Sequence, residues 1–507
     1  MAKSGKTNKS SASGARAAII TSVIVIVLIV VCWFVYITGL LPKTITGMEV
    51  YEAGADGTQH TKVEDYSILE VNFYFNEIFS NYAQSGYVSA DNLDEVYDQT
   101  TGETYRDMLM GIAASELQNI AIVNRAAEAD GFMQYSQAGR YAQSQLDTAA
   151  MMAQFSGYQT VDQYLGARYG TGMTSRLYKN IVASEIVTNE YEEYLKQFKF
   201  APTMDQIQAE YDKDPTAYQL VTFNYYFIPA ASDDAGNITD LDAAEATAND
   251  IADSVTDSAS FRQAVMDYLE AEGNDAALES YADDADPTLC ENYSSQTMTY
   301  MPDGFAEFLY SEDRNPGDTT VITSETGAYV ILFSERGANE DQTVSYRTIQ
   351  LTNNTELDLL TAPMDQVQAD AQAQADKIIS GPVDSFTFYN LAKEYSEDTS
   401  AVVTGGLSTG VKADQFESSE ETPLTSDQIA LGEWLFDPSR TAGDYTVILS
   451  EDKTTIYIYY FEGSMLGWQD SARTNIITEA TNTWGTELNA NNPQYVLNTG
   501  LIKRFTY

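Results

Sequence analysis

Between about Val63 and Asp214, apolar residues recur at three- and four-residue spacing. Leu109, Ile112, Ala113, Leu117, Ile120 and Val123 mark one such helix, and Gly131 stops it. Tyr141 to Phe155, Val161 to Tyr169 and Thr174 to Phe198 continue the pattern. Thr203 with Gln206 forms a capping box ahead of Ile207 to Tyr211. The spacing predicts an all-helical region over 65–218.

At Leu220 the period changes. VTFNYYFIP reads as a strand, Asp242 to Val255 and Phe261 to Leu269 as helices, and VIT with YVILF as a strand pair. The order then recurs: strand Val344 to Leu351, helices Met364 to Ile379 and Phe386 to Tyr395, a Gly-Gly turn, helix Ser426 to Phe436, and strands YTVIL and TIYIYYF. SFRQAVMDYL pairs with SFTFYNLAKEY, and NPGDTTVITSETGAYVILF pairs with TAGDYTVILSEDKTTIYIYYF, so two copies of one α+β unit are expected, over 219–338 and 342–464. A last helix, Trp468 to Leu488, within a C-terminal segment 465–507, is expected to return to the helical region.

Ahead of these modules, Ala17 to Leu41 is almost continuously apolar, about the length that crosses a hydrocarbon core of roughly 30 Å. Lys3, Lys6, Lys9 and Arg16 precede it with no acid, so a basic tail over 1–16 is expected in the cytoplasm and everything after Pro42 outside it. A cleavable signal peptide has a shorter apolar stretch and a small-residue cleavage site, whereas Leu40, Leu41, Pro42 and Lys43 follow here. The glycine-bearing stretch 42–64 reads as a stalk between the membrane and the first domain.

Composition narrows the partners. Among 507 residues, 75 are acidic and 27 basic; four of the basic ones precede the apolar run, which leaves about −52 of formal charge on the exterior part. Nucleic acid is excluded as a partner, because a phosphate backbone meets cations. Cys32 lies in the apolar run and Cys290 outside it, so no disulfide joins two exterior cysteines. The single histidine, His60, has no cysteine or carboxylate cluster around it, and Asp283, Asp284 and Asp286 lack the alternating ligands and distal glutamate of a calcium loop. Neither a phosphate-binding G-x-x-x-x-G-K-[ST] loop nor a G-x-S-x-G elbow occurs. No cofactor or metal is expected.

The segment FYNLAKEYSEDTSAVVTGGL, Phe388 to Leu407, resembles the core signature of parvulin-type (PpiC-like) peptidyl-prolyl isomerases: a leucine-alanine helix, an S-x-D-x-S turn and a Gly-Gly loop. YLGARYGTGMT through EYDKDPTAYQLVTFNYYFI is similar to the N-terminal chaperone region of PrsA/SurA-like foldases and its junction with the isomerase domain. The module order agrees, and the matches together span about 65 to 490.

The resemblance implies a membrane anchor, an all-α chaperone domain and two parvulin-like domains, each an antiparallel four-stranded sheet with helices. It implies a substrate of unfolded secreted polypeptides, held at the cell membrane by a single-pass helix. It also implies a pocket of paired histidines, an Asp or Cys, and apolar residues that grip a proline ring. The amide's partial double-bond character sets the barrier such a pocket lowers, about 18–20 kcal/mol.

Both histidines are missing. The first would fall near Thr348 in the second unit and near Tyr225 or Tyr226 in the first; the second falls on Tyr457 and Tyr329. The Asp/Cys position falls on Asp398. The pocket phenylalanine falls on Phe305 in the first unit and on Leu431, with Phe436 beside it, in the second. Asp398 and Tyr457 are thus the catalytic candidates, and Phe305, Tyr329, Leu431 and Phe436 the substrate-binding ones. Without the resemblance, Asp398 caps a turn and Tyr457 fills a core. Three functions remain open: a foldase whose isomerase is weak or lost, an active isomerase, and a structural or adhesive surface protein that kept only the fold.

Overall fold

Side-chain caps fix where the first helices begin. Ser67 accepts from the Glu70 N–H while the Glu70 carboxylate takes the Ser67 N–H, and Thr104 with Asp107 repeats the exchange. Each box satisfies two backbone donors that have no partner inside the helix. They open α1 (Ile68–Gln84) and α2 (Tyr105–Ala129). The computed structural model describes residues 25–33, 38–53, 60–233, 235–419, 422–490 and 493–504.

α3 (Ala138–Phe155), α4 (Val161–Tyr169) and α5 (Ser175–Tyr194) complete a helical body whose core holds Phe73, Phe75, Leu117, Phe132 and Tyr191. One π-helical turn, Leu195–Lys199, leads to α6 (Met204–Tyr211), which opens on the Thr203–Gln206 box.

The body is not purely helical. The stretch read as a stalk forms β1 (Thr46–Ala53) and β2 (His60–Ser67), and the C-terminal strand Gln494–Leu497 pairs with β1 on its other side. Met48 and Val50 are fully buried beneath this sheet. Glycines at 47, 54 and 57 masked a short alternating strand, and its second partner lies more than four hundred residues away, beyond any local pattern.

Residues 17–24 and 34–37 of the apolar run Ala17 to Leu41 lie outside the described residues, as does the basic tail. Residues 25–33 are helical with exposed apolar side chains, and Thr38–Gly39 turn into a short helix, Leu40–Thr44. Among the described residues no helix is long and apolar enough to cross a membrane. Gly39, at φ +58°, lies so close to Gly172 and to Thr171 that a Cβ would sit 2.0 Å from the Thr171 carbonyl oxygen.

After α6 the architecture becomes mixed α+β. β3 (Gln219–Pro229), α7 (Leu241–Ser254), α8 (Ser258–Ala271), β4 (Leu289–Ser294), α9 (Phe305–Leu309), β5 (Thr319–Ser324) and β6 (Gly327–Ala338) form a first unit. β7 (Gln342–Thr352), α10 (Met364–Ala375), α11 (Ser385–Tyr395), β8 (Leu407–Val411), α12 (Ser426–Leu435), β9 (Tyr445–Leu449) and β10 (Thr455–Leu466) form a second. Each has a four-stranded antiparallel sheet, in the orders β4-β3-β6-β5 and β8-β7-β10-β9. Numbered within each unit, both read second, first, fourth, third.

Period-two alternation splits each sheet into two apolar faces. Ile228, Val330 and Leu332 face α7 and α8, while Phe223, Ile331 and Phe333 face α9. Ile349, Ile456 and Ile458 face α10 and α11, while Val344, Tyr459 and Phe461 face α12. α13 (Gly467–Ala490) then runs back along α6, and its Trp484 meets Tyr191 of the body with ring centroids 6.0 Å apart.

Candidate functional site

Register places the two units on one frame. Tyr329 pairs with Phe227 and Ile322; Tyr457 pairs with Gln350 and Ile448. Two residues earlier on the opening strand lie Tyr225 in the first unit and Thr348 in the second, so these four positions correspond.

In the first unit the α9 face is aromatic. Phe305 is fully buried, and its ring centroid lies 5.5 Å from both Tyr225 and Tyr329, edge-on to each. Phe227 lies 4.7 Å from Tyr329 at the mouth. Phe305 and Tyr329 are thus brought together, and Tyr225 packs beside both. Burial raises the Tyr225 phenol above its usual range, so it stays protonated near neutrality.

In the second unit Leu431, Phe436 and Tyr457 share the α12 face with Tyr459 and Phe461. Tyr457 is half-buried, its ring stacked 5.8 Å from Tyr459, and burial raises its phenol too. Asp398 does not join them. Its exposed carboxylate accepts from the Ser400 N–H at 2.9 Å and the Ser400 Oγ at 2.8 Å, an Asx turn that starts the loop after α11. Among the described residues no hydrogen bond links Asp398 to Tyr457.

Gly405 and Gly406 fix the rest of that loop. Both have positive φ, and a Cβ would sit 2.0 Å from Tyr389 Cδ2 at the first and 2.2 Å from the Thr348 carbonyl oxygen at the second. Thr348 donates its N–H to the Gly406 carbonyl at 3.0 Å.

This signature segment lies against the helical body. Lys393 of α11 and Glu190 of α5 form an ion pair at 3.3 Å with neither side chain exposed. Lys393 Nζ also donates to the Tyr135 carbonyl at 2.9 Å and lies over the rings of Phe132 and Tyr389. Glu190 accepts from Ser136 Oγ and from the Gln137 N–H. Desolvation pushes the Glu190 carboxyl up and the Lys393 ammonium down, so burial opposes a charged pair that geometry holds together.

Arg347, 2% exposed, forms a second bridge. It pairs with Glu462, reaches the Gly405 carbonyl and Gln197 Oε1, and lies over Phe198 and Tyr389. Arg140 donates to the Ser396 carbonyl at 2.7 Å, and Val402 is buried in the body's core.

Sequence reasoning missed these bridging cations. The signal was present: Lys393 follows Tyr389 by four residues on the apolar face of α11, and Arg347 occupies an inward strand position two residues before Ile349.

His60 is exposed at the start of β2, opposite Ala53. Asp286 is engaged by Asn224, Ser258 and Thr288, and the side chains of Asp283 and Asp284 lie outside the described residues. Among the described residues no group of three His, Cys, Asp or Glu side chains is arranged to hold a metal ion. The two sheet faces can grip apolar and proline rings and donate phenolic hydrogen bonds, but neither carries a histidine. No protein-family model matches the chain, and no curated protein matches it significantly.

Proposed function

We propose that the chain is a membrane-anchored extracytoplasmic folding factor of the PrsA/SurA-like kind, which holds unfolded secreted polypeptides and has lost isomerase activity from both parvulin-like units. One observation carries this reading. The two sheets share a strand order and a half-open aromatic face, yet the signature loop of the second unit is taken up in its junction with the helical body. There the Ser396 carbonyl accepts from Arg140, the Thr404 carbonyl accepts from Gln197, and Val402 is buried in the body's core, while Asp398 only caps a turn. A loop so engaged serves as a brace between modules. The aromatic faces, with the helical body between membrane and units, remain as surfaces for reversible apolar contact.

The test is a pair of assays on the purified chain. Refolding limited by a prolyl bond, a phase of about 10–100 s at 25 °C, is expected to keep its uncatalysed rate, while aggregation of a reduced, unfolded client is suppressed. Clear acceleration assigns the active isomerase instead. Neither effect assigns the structural surface protein.

A further inference from the structure

A cavity of about 770 Å³ shares no lining residue with either aromatic face. It lies in the helical body beside β2. Six consecutive residues of β2, 61–66, line it. Side chains alternate between the faces of a strand, so a cavity that meets all six runs along the strand's backbone edge. Among the described residues β2 pairs on one side only, with β1, so its other edge is open to a further strand, although the Asp65 N–H already donates to the neighbouring Glu64 carboxylate at 3.0 Å.

Two helices close the opposite side. α2 contributes Leu117, Ile120, Ala121 and Asn124, and α5 contributes Ile181, Ser184 and Val187, each set a single helical stripe. The walls are largely apolar, while the rim is acidic. Glu64, Asp65, Glu70 and Glu128 border it; Lys62 is already paired with Glu49 and Asp65, and Arg125 with Glu52.

We propose that this groove takes an extended segment of a client polypeptide, alternating apolar and basic residues, as an added strand along β2. The strand edge supplies main-chain hydrogen bonds, the helical stripes receive alternate apolar side chains, and the acidic rim selects basic ones. The proposal rests on the holding function above and gives it a place.

The probe is a fluorescein-labelled peptide of about eight residues, alternating valine and lysine, long enough to match the strand. It is titrated against the full chain in detergent, beside a valine–glutamate counterpart and the same basic peptide with every backbone nitrogen methylated. Binding by the basic peptide alone is expected, with hydrogen exchange slowed over residues 61–66. Glu64→Lys with Glu128→Lys, both exposed positions, is expected to weaken binding about tenfold and less so at high salt.

Equal binding of the methylated or acidic peptide overturns the proposal. So does protection outside β2, or protection of β2 that rises with protein concentration in the absence of peptide, which would put a second copy on the edge. Aggregation suppression without probe binding sinks the groove and spares the holding function. Probe binding without suppression does the reverse.

Discussion

Lys393→Met tests the junction between the second unit and the helical body. Methionine keeps the apolar stem and most of the length of the side chain but removes the ammonium that lies over Phe132 and Tyr389. Glu190 then stays fully buried with Ser136 Oγ and the Gln137 N–H as donors and no countercharge. Removing one member of a buried pair costs about 3–5 kcal/mol, whereas replacing both by apolar or neutral groups is often close to neutral. Lys393→Met is therefore expected to lose about 3–4 kcal/mol, and Lys393→Met with Glu190→Gln to recover most of it.

The sign with pH follows from burial. The folded-state pKa of Glu190 is raised, and loss of Lys393, which lowers it, raises it further. The folded form then holds the proton more tightly than the unfolded one, so the variant's deficit shrinks as pH falls toward the unfolded carboxyl pKa. Urea unfolding followed by tryptophan fluorescence, with hydrogen exchange over 385–405 to locate the opening, measures both effects. A single variant within about 1 kcal/mol of wild type, or a double variant as weak as the single, would refute the reasoning.

Other outcomes follow from the same geometry. Glu185 of α5 faces Glu116, Glu77 and Tyr74 across a cavity of about 320 Å³, and burial first, then those two carboxylates, pushes it up to about 7. Its protonated form is favoured in the folded state, so stability should fall by about 2–3 kcal/mol as pH rises from about 4.5 to 7, and Glu185→Gln should flatten that slope in urea midpoints. Gly405→Ala meets Tyr389 at positive φ and should cost more than about 2 kcal/mol, whereas Gly86→Ala, at φ +76° in open space, should cost only about 1–2 by thermal unfolding. Phe305→Ala should cost about 3–5 kcal/mol, with hydrogen exchange accelerated over 219–338 and the helical body unchanged.

Local periodicity carried most of the helices and both strand pairs that close the units. Val161–Tyr169 of α4 and the Thr203–Gln206 box were legible because a capping side chain and a three-to-four spacing act within one turn. The duplication was legible because two segments share residues in the same order. β4 went unread: LCENYS lacks clean alternation and is held by its ladder to β3. Of the residues read as candidates, Asp398 does not join the others. Phe305 with Tyr329, and Leu431 with Tyr457 and Phe436, do share faces, since strand register carries them there.

By itself, the sequence determined the helical body, the two α+β units, the acidic charge and the absence of histidine from both units, because each depends on residue identity or on contacts a few residues apart. Only the tertiary structure decided that 46–53 and 60–67 are paired strands, the first of them joined on its other side by 494–497, and that Lys393 and Arg347 tie the second unit to the helical body. These depend on which distant surfaces exclude water together. Arg347 and Lys393 are each tolerated in the interior because a carboxylate more than a hundred residues away arrives to meet them, and no local pattern records that arrival.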